Sequence, residues 1–209
     1  MARSLRINTP NTTAINSLVE CKAHLRIEVS DDDAYINSLA LVAKQTIESY
    51  CNIFIMETEC TQLCDTWVDT YQLYYGAPKN LMNGTSSYID VIKFQYFDTA
   101  GVIQNWATTD YIVDDTSMPA RIGLDPSGDG YPNIENRLNA IEITYDVGMA
   151  ETDDVPEALK QAALILVGQW YENRQEAVVG RSVGIIPLTA RYLMDPYKIQ
   201  TMGLPTCVL

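Results

Sequence analysis

Gly180-Arg181-Ser182-Val183-Gly184 satisfies G-x-S-x-G, the spacing that places a nucleophilic serine on a sharp turn in α/β-hydrolases. That chemistry needs the serine on a strand-to-helix turn and a histidine downstream to take its proton. Here the motif follows a helical pattern and leads into Ile185-Ile186-Pro187, and the only histidine, His24, lies far upstream in a helical segment. The pattern reads as a glycine-punctuated loop. Cys60-x-x-x-Cys64 offers two thiol ligands, but a zinc site takes four, and one histidine cannot complete the set. Asp114-Asp115 and the carboxylates of Asp125 and Asp129 lack the spacing of a calcium loop. No P-loop and no dinucleotide-binding fingerprint occurs. No catalytic residue, cofactor or metal site is therefore expected.

The composition narrows the remaining classes. The chain has 209 residues, and 27 acidic against 14 basic side chains give a formal charge of −13. A protein that grips nucleic acid normally presents a basic face, so sequence-reading DNA or RNA binding is disfavoured. A passage that lets DNA slide without holding it remains compatible. The five cysteines are an odd number, and the N-terminus lacks a secretory apolar run, so free thiols in a reducing cytosol are expected. No apolar stretch approaches the ~18–20 residues of a membrane span. Thirteen tyrosines against three phenylalanines favour surfaces where an apolar ring carries a wet tip. Tyr71, Tyr74 and Tyr75 read equally as core, edge or contact residues.

The elements follow from periodicity. The spacing predicts a helix from about Thr13 to Arg26, with Ile15, Leu18, Val19, Lys22 and Leu25 on one face. Ser30 reads as the cap of a second helix, about 31–51, whose stripe is Ile36, Leu39, Ala40, Ala43, Ile47 and Tyr50. A third helix spans about 155–174, with Asp154 as cap, Glu157 three residues on and Pro156 in the first turn. No charged residue falls between Ala162 and Tyr171, so this helix needs cover on more than one side. A short helix follows at about 188–197, broken at Pro196, and residues 198–209 read as an arm. Between the second and third helices, a β-rich insert covers about 53–148. It contains Tyr88–Phe97, a turn at Asp98–Gly101 into Val102–Trp106, then Tyr111–Val113 and Ile141–Val147. The expected class is α+β: a single domain with a helical-bundle scaffold and an inserted β-rich region.

The wording of two segments carries a resemblance. Val155-Pro156-Glu157-Ala158-Leu159-Lys160-Gln161-Ala162 opens a hydrophobic run that closes on Trp170-Tyr171-Glu172-Asn173-Arg174, followed by a loop and Pro187-Leu188. Upstream, Glu20-Cys21-Lys22-Ala23-His24-Leu25-Arg26-Ile27 precedes an acidic break at Ser30-Asp31-Asp32-Asp33 and a second helix. This order, over about residues 14–197, resembles tailed-phage head–tail connector proteins, also called head-completion or adaptor proteins. The resemblance implies a structural, non-enzymatic subunit of a homo-oligomeric ring in the virion neck, assembled in the host cytoplasm. It implies about twelve copies around the portal axis, closed by heterologous contacts. It also implies portal protein above, a tail or stopper protein below, double-stranded DNA passing through without specific binding, and no membrane. The expected interface residues are Trp170, Tyr171, Arg174, Tyr192, Leu193, Tyr197, Met202, Leu204, Val208 and Leu209. The alternatives are another virion ring component, such as a tail-completion protein, or a small enzyme or ligand-binding domain with a β-rich pocket.

Overall fold

The computed structural model describes residues 3–75, 89–174 and 187–199. Four helices and eight strands occur in these residues: β1 (Arg3–Thr9), α1 (Leu18–Leu25), α2 (Asp33–Cys51), β2 (Thr58–Cys64) and β3 (Thr70–Gln72), then β4 (Ile89–Phe97), β5 (Ile103–Asn105), β6 (Tyr111–Asp114), β7 (Arg121–Leu124), β8 (Ile141–Val147), α3 (Glu157–Glu172) and α4 (Leu188–Met194). The α+β expectation is borne out.

The helical boundaries differ from those read off periodicity, and each difference has a local cause. α1 starts at Leu18 rather than near Thr13. Ser17 and Glu20 close a reciprocal capping box, with Glu20 N–H donating to Ser17 Oγ and Ser17 N–H donating to Glu20 Oε2 at 2.7 Å. Ahead of it, Thr13 N–H donates to the Asn11 side chain, which turns the chain before the helix begins. Val19, expected on the packed face, is 76% exposed, and the residue that α1 buries is Cys21.

In α2 the stripe Ile36, Leu39, Ala40, Ala43 and Ile47 is buried as its spacing requires, while Tyr50 is half-buried at the rim. Its N-cap position is Asp32, not Ser30, and no side chain caps it. α3 begins after Pro156, not Asp154. Residues Thr152–Asp154 instead form a 3-10 turn. α4 passes at Asp195–Tyr197 into another 3-10 turn that accommodates Pro196.

The five-stranded antiparallel sheet has the order β1-β2-β8-β4-β5. Its central strand β8 alternates strictly, burying Ile141, Ile143, Tyr145 and Val147. The expected hairpin joins β4 to β5, with Gly101 at φ 76° and its N–H donating to Asp98 O at 2.9 Å. A second sheet, β3-β7-β6, faces the first. An aromatic cluster fills the space between them. Phe94 of β4 meets Tyr71 of β3 at 5.6 Å and Tyr111 of β6 at 5.4 Å, with Trp106 at 4.7 Å. β1, from outside residues 53–148, forms one edge of the first sheet by pairing with β2 from Arg3↔Cys64 to Thr9↔Glu59.

The chain passes three times between the helical layer and the strands, and the crossings after α2 and after β8 are stitched side by side. Glu57 N–H donates to Met149 O at 2.9 Å and Met149 N–H to Ile55 O at 2.8 Å. Glu48 of α2 accepts from Ile55 N–H at 2.9 Å. Lys44, 2% exposed, donates to Asn11 O at 2.8 Å and lies 3.8 Å from Glu48. Burial lowers the Lys44 pKa and raises that of Glu48. This buried polar junction gives both crossings one fixed attachment to α2, since each member is hydrogen-bonded.

Candidate assembly interface

α3 lies at the centre of the helical layer, against α1, α2 and α4, and buries Leu159, Ala162, Ala163, Leu166 and Val167. Its last turn and the two residues after it carry three of the expected interface residues. Trp170 is half-buried against the core. Tyr171 donates its hydroxyl to Asp32 Oδ2 at 2.5 Å, and Arg174 Nη2 donates to the same oxygen at 2.8 Å. The Arg174 guanidinium also lies 4.8 Å from the Tyr35 ring and 4.9 Å from the Tyr171 ring. The hydroxyl of Tyr171, then the Arg174 guanidinium, hold the Asp32 carboxyl below its ordinary pKa. This explains the missing cap on α2: its N-cap carboxylate is turned to the end of α3 instead. Tyr171 and Arg174 thus clamp two helices within the chain.

α4 presents a different surface. Its Ala190 and Met194 are buried, Leu193 and the following Tyr197 are half-buried against the core, and Tyr192 is 68% exposed. One turn before Tyr192, Leu188 is 61% exposed. These two residues share one face at i, i+4 spacing and form an apolar patch on the outside of the layer. Leu188 was missed by sequence reasoning. The signal available was its spacing to Tyr192 directly after Pro187. Beyond α4, Tyr50 donates to Asp195 at 2.5 Å, and the Lys198 ammonium lies 4.3 Å from the Tyr50 ring centre. Ile199, placed by sequence in the arm, is 1% exposed, with its N–H donating to Cys51 O at 2.8 Å. Met202, Leu204, Val208 and Leu209 lie outside the described residues, as does the Gly180–Gly184 motif.

The other chemistry-bearing residues are dispersed. Cys60 and Cys64 are buried on one face of β2, and burial pushes the Cys60 thiol up to about 12. Among the described residues no group of His, Cys, Asp and Glu is placed to hold a metal ion, and no helix is long and apolar enough to cross a membrane. His24 stands exposed at the end of α1, over α3, where a Cβ at Gly168 would lie 3.3 Å from its Nε2. Of the three undecided tyrosines, Tyr71 is core at 1% exposure. Tyr74 and Tyr75 are half-buried, and the Tyr75 ring lies 4.3 Å from that of Phe54.

Residues 15–90, which cover α1, α2, β2 and β3, match the family described as phage gp6-like head-tail connector protein. No curated protein matches the sequence. Three solved structures share the fold over nearly the whole chain. A chain in the neck of an empty gene transfer agent particle, solved with C6 symmetry, is 19% identical with a TM-score of 0.69, covering 97% of this chain and 98% of that one. A chain in the virion of the native gene transfer agent particle is 22% identical with a TM-score of 0.70, covering 95% and 97%. A chain in the neck of the native particle, solved with C12 symmetry, is 19% identical with a TM-score of 0.66, covering 95% and 98%.

Proposed function

We propose that this chain is a structural ring subunit of a virion neck, joining the portal to the tail and extending the channel through which DNA leaves. The observation that carries this reading is the connector-family match over residues 15–90, on a chain whose fold is that of neck proteins along 95–97% of its length. The C12 symmetry of one such neck favours about twelve copies, as a closed heterologous ring allows. The chain does no chemistry in this role. Its partners are its own copies, the portal above, a tail or stopper protein below, and passing duplex DNA that it does not bind.

Within the ring, the Leu188–Tyr192 patch is the strongest contact candidate, because its exposed apolar side chains gain most from being covered. Tyr171 and Arg174 act by fixing the helices that present it. Native mass spectrometry of the protein, alone and with portal protein, tests the assignment. The expected result is a species near twelve times 23.4 kDa that forms on the portal. A chain that stays monomeric in the presence of portal rings would overturn it.

A further inference from the structure

A groove of about 370 Å³ opens between the start of β4 and the strand β6, away from the helical layer. Its apolar floor includes Ile89 and Val113, and its polar lining is Asp90, Thr108, Tyr111 and Asp115. Tyr111 is 8% exposed, with its ring held 5.4 Å from Phe94 and 5.5 Å from Trp106. Its hydroxyl has no hydrogen-bond partner among the described residues. The ring is covered while its hydroxyl borders the open groove, where it is available to donate to or accept from a ligand.

The charged residues that line the groove, Asp90 and Asp115, are both acidic, and the nearest cation along β4 is Lys93, opposite Thr144. Asp90 stands directly opposite Asp146 on β8, and Asp146 directly opposite Glu59 on β2. Such like-charged cross-strand neighbours destabilise a sheet unless a cation relieves them. Burial first, then Glu57, Glu59 and Asp90, raises the Asp146 carboxyl above its ordinary pKa. Among the described residues no lysine or arginine pairs with Asp90 or Asp115, whereas Lys22, Lys44, Arg121, Arg137, Lys160 and Arg174 are all ion-paired elsewhere. A second copy of this chain, at −13 and with six of its fourteen cations engaged in ion pairs, is a poorer source of positive charge than a basic partner.

We propose that this groove is a docking pocket for a basic side chain of a partner protein other than this chain, with Asp90 and Asp115 receiving the charge and Tyr111 and Thr108 completing its hydrogen bonds. A guanidinium suits it best, since its planar fork of donors serves two carboxylates and a phenol oxygen at once. The inference stands on the groove's own geometry and holds whatever ring the subunit forms.

The test uses the full chain labelled with ¹³C-tyrosine, with the Tyr111 signal assigned through Tyr111→Phe. The probe is a glycine–serine peptide carrying two arginines, against the same peptide with citrulline in their place. The arginine peptide is expected to shift the Tyr111 signal saturably and the citrulline peptide to leave it unmoved. Asp90→Asn and Asp115→Asn are expected to weaken binding about tenfold each without lowering the melting temperature. No saturable shift, equal effects of the two peptides, or unaltered binding in both variants would overturn the pocket. One further result would overturn the choice of occupant. If Asp90→Asn prevents self-association and the peptide does not bind, the occupant is a second copy.

Discussion

Asp32 shows how one side chain is claimed by a task that sequence spacing does not reveal. It occupies the N-cap of α2, where a carboxylate ordinarily accepts from the helix's own N–H groups, yet it accepts from Tyr171 and Arg174. Those hydrogen bonds depress its pKa, so its stabilising effect is fully present above the ordinary carboxylate range and is lost as pH falls through the folded-state value. Asp32→Asn is therefore expected to melt below the parent protein at neutral pH, with the gap closing below about pH 4. Thermal melts from pH 7 to pH 3 check this, and a gap independent of pH would mean that the charge of Asp32 contributes nothing. The same residues show what was legible at this scale. That the end of α3 carries polar and aromatic residues of consequence is plain from Trp170-Tyr171-Glu172-Asn173-Arg174. That Tyr171 and Arg174 turn inward to a carboxylate 139 and 142 residues away is not, because only packing brings those positions together.

Helices and strands here depend on the few places where the chain passes between layers. Gly148 ends β8 with φ 105°, and a Cβ there would lie 2.4 Å from Met56 O on the neighbouring crossing. Neither the backbone angle nor the space admits a side chain. Gly148→Ala is expected to cost at least about 2 kcal/mol in denaturant unfolding. A midpoint unchanged within error would show that the crossings separate readily. α4 makes the opposite prediction, since Tyr192 is exposed and no described hydrogen bond depends on it. Tyr192→Asp is expected to leave the melting temperature within a few degrees while lowering the ring fraction seen by native mass spectrometry; normal ring formation would move the contact elsewhere. Among the elements, α2 was legible because its buried positions recur at helical spacing. The start of α1 was legible too, through Ser17 and Glu20, but the apolar periodicity running back to Ile15 obscured it. β1 could not be read, since an edge strand exposed on most of its length has little pattern until β2 supplies its partner.

The whole molecule is an acidic body whose sheet carries a row of carboxylates, Asp90, Asp146 and Glu59, while six of its fourteen cations are tied up in ion pairs. DNA binding draws its affinity from phosphate contacts, which such a surface does not offer. The free protein is expected to bind duplex DNA at about 10⁻⁴ M or weaker at physiological salt. Anisotropy titrations across salt check this. A micromolar affinity with a steep negative salt slope would reveal a basic face.

What the sequence determined by itself was the order of the helices and of the β-rich region between them, because a helix writes its buried face at 3.6-residue spacing and a half-buried strand alternates, as α2 and β8 both do. It also determined the acidic character, since composition alone sets net charge. The tertiary structure decided where those elements stop and what their polar residues serve. A capping box outweighed apolar periodicity at Ser17, a long-range ion pair displaced a cap at Asp32, and a close backbone approach required glycine at 148. Each of these is a contact between residues whose meeting is set by the fold, and so none is written in local spacing.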